Sequence, residues 1–236
     1  MLTCLSKIPI LPSLVPPAIS ASNLLDFLST LSNASAFEDK STPQYQAYQF
    51  IASAVALNNN VTGKQLTEHY AAAVVHYSLG YLMPLSSWEL CLWPTLVCNE
   101  TTRMVSEINM ARLSLNGSLP TELGLLSSVT KIDLGENQVI GKIPDDLYHL
   151  TDLQFLYMES NQLTGSLSQL IDNTRALEVI SLGNNQLSGP LPSKLKSKTE
   201  IRPLRKCQAP SVLETLTFCL HMYMMFTYLR CNVQAF

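Results

Sequence analysis

The fold of this chain is decided by residues 129–144, which read VTKIDLGENQVIGKIP, and by three similar stretches around them. These are residues 105–120, 153–168 and 177–192, so the repeat length is 24 residues each time. Aliphatic side chains recur at five positions of each copy. The other recurring residues are the glycines Gly117, Gly141, Gly165 and Gly189 and the asparagines Asn137, Asn161 and Asn185. Agreement at so many positions identifies an internal repeat.

Each copy predicts a short strand followed by turns. Ile132 and Leu134, with their equivalents, alternate with other residues and therefore share one face of a strand. Stacked copies then form a parallel sheet. An asparagine where the chain turns donates and accepts hydrogen bonds to buried turn backbone. We therefore expect Asn137, Asn161 and Asn185 to stack into a structural ladder.

These residues resemble the plant-type leucine-rich repeat, with its consensus L-x-x-L-x-L-x-x-N-x-L-x-G-x-I-P. Trp88, Cys91, Trp93 and Cys98 are similar to the paired-cysteine N-terminal cap of that class, although Thr95-Leu96 replaces the family's Gly-Val. Residues 41–47 and 69–78 resemble the helical pre-cap of leucine-rich-repeat proteins from diatoms and related algae. The resemblance covers about residues 36–193. It implies an α/β solenoid, with short parallel strands on its concave face and an N-terminal helical cap, that acts in recognition without catalysis.

The chain divides into four predicted parts. Residues 1–35 are apolar and proline-rich, and are compatible with a signal peptide or with a truncated start. Residues 36–104 form the helical cap, and residues 105–195 form the four repeats. Residues 196–236 are a basic and then apolar tail, compatible with a membrane anchor over Thr215–Leu229 or with non-native sequence. That apolar run is shorter than the ~20 residues that cross a bilayer.

Charge is distributed unevenly along the sequence. Residues 1–193 carry 8 basic and 16 acidic side chains, whereas residues 194–236 carry 7 basic and 2 acidic ones. The acidic body argues against nucleic acid as a partner. Neither a catalytic motif nor a cofactor-binding motif is found. The sequence therefore predicts no enzyme, no cofactor and no metal.

Two helices are expected in the cap. One begins at Pro43 and covers residues 43–57, and Thr62 with Gln65 forms a capping-box signature before the second. His69 and His76 lie seven residues apart, too far along a helix to bind one metal ion. We expect both histidines on the surface of the cap.

Cysteines and glycosylation sequons bear on the compartment. Six residues separate Cys91 from Cys98, more than the usual two to four of a zinc half-site, so a disulfide is favoured over a metal site. A disulfide indicates an oxidising compartment, either extracellular or at the cell surface. Four sequons are candidates for glycosylation: Asn33, Asn60, Asn99 and Asn116.

The predicted binding surface is the outward face of the strands. We expect a protein or peptide ligand to contact Lys131, Asp133, Phe155, Tyr157, Glu159 and Ser181. Phe155 and Tyr157 are candidate anchors, although Phe155 packing on Val179 to shield the sheet explains the pattern equally well. Four strands give a footprint of roughly 250 Å², below the ~800 Å² per side of a standard interface.

The favoured function is therefore a receptor-like recognition module. Two alternatives remain at this stage. One is a structural or assembly protein that self-associates through an uncapped C-terminal end at Leu187–Leu195. The other is an extracellular enzyme inhibitor. Association with a membrane is left open.

Overall fold

The computed structural model describes residues 23–55, 61–81, 88–190, 192 and 195, and the backbone of 201–202. The Asn60 sequon, the apolar run Thr215–Leu229 and residues 1–22 lie outside these ranges. No helix within the described ranges has both the length and the hydropathy needed to cross a bilayer.

Among the described residues, three α-helices precede the repeats: α1 (Leu24–Leu28), α2 (Pro43–Val55) and α3 (Gly63–Ser78). The predicted capping box of α3 is confirmed. The hydroxyl of Thr62 accepts from the Gln65 N–H at 3.3 Å, and the Gln65 side chain accepts from the Thr62 N–H at 3.2 Å. Ile51, Leu66 and Tyr70 are fully buried, so α2 and α3 pack their apolar faces together.

The described residues also form nine short strands. They are β1 (Leu96–Cys98), β2 (Val105–Asn109), β3 (Lys131–Asp133), β4 (Ile140–Gly141), β5 (Phe155–Tyr157), β6 (Gln162–Ser166), β7 (Val179–Ser181), β8 (Gln186–Ser188) and β9 (Ile201–Arg202). A six-stranded sheet has the order β1-β2-β3-β5-β7-β9, and a three-stranded sheet has the order β4-β6-β8. All pairs are parallel except β1 with β2. The predicted parallel strands are therefore confirmed.

In the larger sheet, residues that are 24 positions apart in the sequence lie next to each other on neighbouring strands. Ile108, Ile132, Leu156 and Ile180 are direct neighbours across β2, β3, β5 and β7, and all are at most 3% exposed. The sheet has one more strand at each edge than the four that the repeats predict. β1 pairs with β2, and Ile201 of β9 pairs with Ile180 after only 21 residues.

Three short 3-10 helices line the side of the core opposite the larger sheet, at Thr121–Leu125, Asp145–His149 and Gln169–Asn173. Each buries one aliphatic side chain at the same position of the repeat: Leu123, Leu147 and Ile171. Between these helices and the sheet, one continuous apolar core runs from the first repeat to the last.

The end of α3 packs directly on the first repeat. Ser118 donates its N–H to the carbonyl of Ser78 at 3.2 Å, and a Cβ on Gly117 would lie 1.7 Å from that carbonyl oxygen. Gly117 therefore permits close approach of two backbones, whereas Gly141, Gly165 and Gly189 have φ of 81° to 85°. The buried carboxylate of Glu68 on α3 accepts from the Val105 N–H at 2.7 Å.

Candidate functional site

The outward-pointing residues of four strands form a continuous surface, which we call the sheet face. It comprises Glu107, Asn109, Lys131, Asp133, Phe155, Tyr157, Val179 and Ser181. The parallel register brings these side chains into two columns, with neighbours ~4.8 Å apart across the strands. All are half-buried except Ser181, which is only 5% exposed and so offers little surface to a ligand.

The two aromatic side chains of the sheet face come from one strand. Phe155 and Tyr157 both belong to β5, and Phe155 lies between Lys131 and Val179 in the register. Each ring is half-buried, which leaves part of its surface accessible. Phe155 is therefore flanked by residues of both neighbouring strands and still has an accessible outer surface.

The cations on and beside the sheet face are paired with acids. Lys131 Nζ lies 3.6 Å from Glu107 Oε2, which also accepts from the Asn109 side chain at 3.3 Å. Beyond the strand ends, the exposed Arg112 and Glu136 form an ion pair. The hydrogen bond from Arg112 lowers the pKa of the Glu136 carboxyl, and the same bond raises the pKa of Arg112.

Two further acids converge over a glycine at the edge of the sheet face. Asp133 Oδ1 accepts from the Gly135 N–H at 3.2 Å. A Cβ placed on Gly135 would lie 3.1 Å from Glu159 Oε1 and 3.4 Å from Asp133 Oδ1. We call Asp133, Gly135 and Glu159 the acidic notch. Within the described part of the chain, neither carboxylate forms a salt bridge, but the charges of both raise the pKa of the nearby Arg112. Glu159 Oε2 is buried and has no hydrogen-bond partner in that part of the chain.

The sequence predicted the two acids of the notch as separate ligand contacts and did not predict their convergence. This convergence could have been inferred from the residues that the four copies have at one position of the repeat. Three residues after the central aliphatic of each strand, the four copies have Ala111, Gly135, Glu159 and Gly183. Glu159 thus has glycine on both sides in neighbouring repeats.

Behind the sheet face, three asparagines bond each repeat to the one before it. Asn161 Oδ1 accepts from the Val139 N–H at 2.9 Å, and its Nδ2 donates to the Leu134 carbonyl at 2.9 Å. Asn185 makes the equivalent bonds to Leu163 and Met158. In the first copy, where Leu113 replaces asparagine, Asn137 Oδ1 accepts from two N–H groups, of Leu113 and Leu115. These bonds satisfy backbone groups that the turns leave without strand partners.

Cys91 and Cys98 form a disulfide that joins the 3-10 segment Leu90–Leu92 to β1. The groups of three or more side chains that a metal ion needs do not occur among the described residues.

Asn33, Asn99 and Asn116, which belong to three of the four glycosylation sequons, are exposed. The side chain of Asn99 accepts from the N–H groups of Thr101 and Thr102.

The prediction that both histidines lie on the surface was wrong. His69 is 8% exposed and His76 is 1% exposed, because the segment that begins at Trp88 packs over α3. His76 Nε2 lies 2.6 Å from the hydroxyl oxygen of Thr95, and its Nδ1 lies 2.7 Å from the carbonyl oxygen of Ala72. Burial lowers the pKa of His76 to about 4.

Comparison with known proteins gives one family match. A model described as leucine rich repeat matches residues 176–197, which include β7 and β8. No curated protein sequence matches the chain. Together with the parallel register, the repeat match shows a leucine-rich-repeat type of fold.

Solved structures similar to the chain include ectodomains of plant receptor kinases. One is the leucine-rich-repeat ectodomain of GASSHO1/SCHENGEN3 from Arabidopsis thaliana, in complex with CASPARIAN STRIP INTEGRITY FACTOR 2. It is 30% identical over 50% of this chain and 15% of its own length, with a TM-score of 0.46. The ectodomain of SOBIR1 from Arabidopsis thaliana is 24% identical over 58% of this chain and 89% of its own length, with a TM-score of 0.39.

A third similar structure is Pollen Receptor Kinase 3, which is 25% identical over 55% of this chain and 68% of its own length, with a TM-score of 0.46. The chain spans only 15% of the length of GASSHO1/SCHENGEN3 and of the peptide hormone receptor RGFR1. It is therefore much shorter than these two ectodomains.

Proposed function

We propose that this protein is a non-enzymatic recognition module that binds a protein or peptide through the sheet face. The observation that carries the proposal is the pair Phe155 and Tyr157, presented side by side on β5 with part of each ring accessible. Aromatic side chains that are partly held by their neighbours are preferred anchors in protein interfaces, since little conformational entropy is lost when they bind.

The size of the sheet face favours a peptide or a small epitope. Its four strands at ~4.8 Å spacing, each about 13 Å long, give roughly 250 Å² of flat surface. That area is about a third of one side of a standard protein interface. An extended peptide of a few residues fits it, whereas a folded partner must also contact the loops or the helical segment.

The helical segment is proposed to cap the first repeat of a leucine-rich-repeat solenoid whose concave side is the sheet face. What supports this role is the set of bonds from α3 to the first repeat, through Glu68 to Val105 and through Ser78 to Ser118. An uncovered end of a repeat stack would expose its apolar core. The disulfide between Cys91 and Cys98 supports an extracellular or cell-surface location, because such bonds persist in oxidising compartments.

Displayed random peptides selected on the purified full chain would test the proposal. Binding of the selected peptides is then compared between the wild type, Phe155→Ala and Tyr157→Ala. Leu170→Ala is the matched control, because Leu170 is 40% exposed and belongs to a 3-10 helix on the other side of the core. We expect at least 10-fold weaker binding for the two aromatic variants and less than a 2-fold change for the control. Equal affinities for all four proteins would contradict the proposal.

A further inference from the structure

We propose that Asn99 carries an N-linked glycan that covers an exposed apolar edge of the larger sheet. That edge is formed by Leu92 and Val97, which we call the apolar edge. The inference rests on the proposed extracellular or cell-surface location, and it does not depend on peptide binding by the sheet face. It selects one of the three exposed sequons and states what its modification does.

The first argument is the apolar surface beside the disulfide. Leu92 is 66% exposed, more than any other large apolar side chain in the described ranges, and Val97 is 43% exposed. Each of them is the chain neighbour of one cysteine, and the Cα atoms of Cys91 and Cys98 lie 5.5 Å apart. The Cα atoms of Leu92 and Val97 are therefore at most about 13 Å apart. The disulfide thus holds two exposed apolar side chains in one region of the surface.

The second argument is the position of β1 in the sheet. Among the described strands, β1 is at one edge of the larger sheet and pairs with β2 alone. An edge strand presents N–H and C=O groups with which a second chain can pair, and exposed apolar side chains favour such association. Proteins cover such edges or place charges on them. The three residues of β1 carry no charge, so a cover is the remaining protection.

The third argument is the sequon that directly follows β1. Residues 99–103 form the turn between β1 and β2, and all five are exposed. Asn99 donates its N–H to the Met104 carbonyl and accepts from the Arg103 N–H, both at 2.9 Å, so the backbone of the turn is fixed. The Asn99 side chain accepts from two N–H groups of the turn through Oδ1. Within the described part of the chain its Nδ2, the atom to which a glycan is attached, donates no hydrogen bond.

The fourth argument is the distance from the sequon to the apolar edge. Asn99 is two residues from Val97 along the chain, so their Cα atoms lie at most about 7 Å apart. An N-linked glycan is bulky and hydrophilic and stays on the protein surface. At this distance it covers the apolar edge, hinders a second chain from pairing with β1, and presents polar groups to water.

The modification is a transfer from a lipid-linked oligosaccharide, which cells supply in the secretory pathway. Asn99 Nδ2 forms a C–N bond with the first sugar, and the bond from that sugar to the pyrophosphate of the lipid breaks. The lipid pyrophosphate leaves, and Nδ2 loses one proton. The sequon requires a hydroxyl residue two positions after the asparagine, which is Thr101 here.

The test expresses the full chain in a eukaryotic host behind a cleavable secretion leader. Thr101→Ala removes the sequon, whereas Thr101→Ser keeps it and is the matched control at the same exposed position. An amidase that releases N-glycans leaves aspartate at each glycosylated asparagine, and mass spectrometry of the peptide that contains residue 99 detects this change. Light scattering over a range of concentrations measures self-association. Thermal unfolding checks each fold, and an endoglycosidase trims the glycan of the folded wild type if Thr101→Ala is unfolded.

We expect Asn99 to be glycosylated in the wild type and in Thr101→Ser, and both proteins to remain monomeric. Without the glycan, the apparent mass at high concentration should rise about 2-fold or more. Adding Leu92→Ser/Val97→Thr to Thr101→Ala should restore the monomer. Adding Leu170→Ser instead should not, because Leu170 is an exposed leucine on a 3-10 helix on the other side of the core.

Unmodified Asn99 in the secreted wild type would overturn the inference. The proposed location would still stand, because the leader directs export in this experiment. Equal self-association with and without the glycan, or rescue by Leu170→Ser alone, would also overturn it. None of these results changes the proposal that the sheet face binds peptides, which the displayed peptides test separately.

Discussion

Replacing Asn161 with alanine is expected to destabilise the protein strongly for the removal of one small side chain. The Asn161 amide forms hydrogen bonds to backbone groups of two repeats. Its Oδ1 accepts from the Val139 N–H at 2.9 Å, and its Nδ2 donates to carbonyls of its own repeat and of the preceding one. The carbonyls of Leu134 and Met158 keep a second donor, from Asn137 and Asn185 respectively. The group left without a partner is thus the buried N–H of Val139.

The size of the effect follows from that single orphaned group. A buried donor without an acceptor costs about 1–3 kcal/mol. The space vacated by the amide adds about 1 kcal/mol if the turn does not collapse. We therefore expect Asn161→Ala to lower the free energy of unfolding by roughly 2–4 kcal/mol.

The assay is urea-induced unfolding of the full chain, followed by far-UV circular dichroism and analysed by linear extrapolation. Gln162→Ala is the matched control, because Gln162 is the next residue and its side chain is exposed. We expect a change below about 0.5 kcal/mol for this control. If Asn161→Ala is as stable as Gln162→Ala, the ladder does not stabilise the repeats and the reasoning is refuted.

Three other perturbations have expected outcomes. Acid should destabilise the protein: the pKa of His76 is about 4 in the fold and ~6.5 when unfolded, so the unfolded chain binds more protons between these pH values. The loss below pH 4 is on the order of 3 kcal/mol. His76→Gln should flatten the pH dependence of the urea midpoint, and an unchanged pH dependence in this variant would contradict the assignment to His76. Reducing the Cys91–Cys98 disulfide should cost about 2.5 kcal/mol for its short loop, which a lower Tm in dithiothreitol would show and an unchanged Tm would contradict. Gly117→Ala should destabilise more than Gly141→Ala, because its Cβ would lie 1.7 Å from a carbonyl oxygen, whereas at Gly141 the nearest atom is 3.6 Å away and only the positive φ opposes a side chain. Equal melting temperatures for these two variants would contradict the role given to Gly117.

The repeating parts of the fold were predictable from the sequence, because each recurring residue occupies the same position, in a strand or in a turn, in every copy. The strand positions of Ile108, Ile132, Leu156 and Ile180 follow directly from the 24-residue spacing. The strands outside that spacing could not be predicted in this way. β1 runs antiparallel, and β9 follows after 21 residues, so neither belongs to the repeat.

The sequence predicts which residues lie on the sheet face, but it does not predict which of their side chains form ion pairs or hydrogen bonds with each other. Which acids are neutralised depends on the rotamers of Lys131 and Arg112, and sequence spacing does not determine rotamers. The histidines show the same limit. His69 and His76 gave no signal of burial, because the segment that covers them lies 19 residues further along the chain. Contacts between distant segments are not encoded in local periodicity.

The most direct test of recognition by the sheet face is site-specific photo-crosslinking to a selected peptide. Benzoylphenylalanine replaces Phe155 in one protein and the exposed Leu170 in another, so that the same reactive group is presented on opposite sides of the core. The account predicts that the peptide crosslinks from position 155 and not from position 170. Crosslinking from position 170 alone would contradict it.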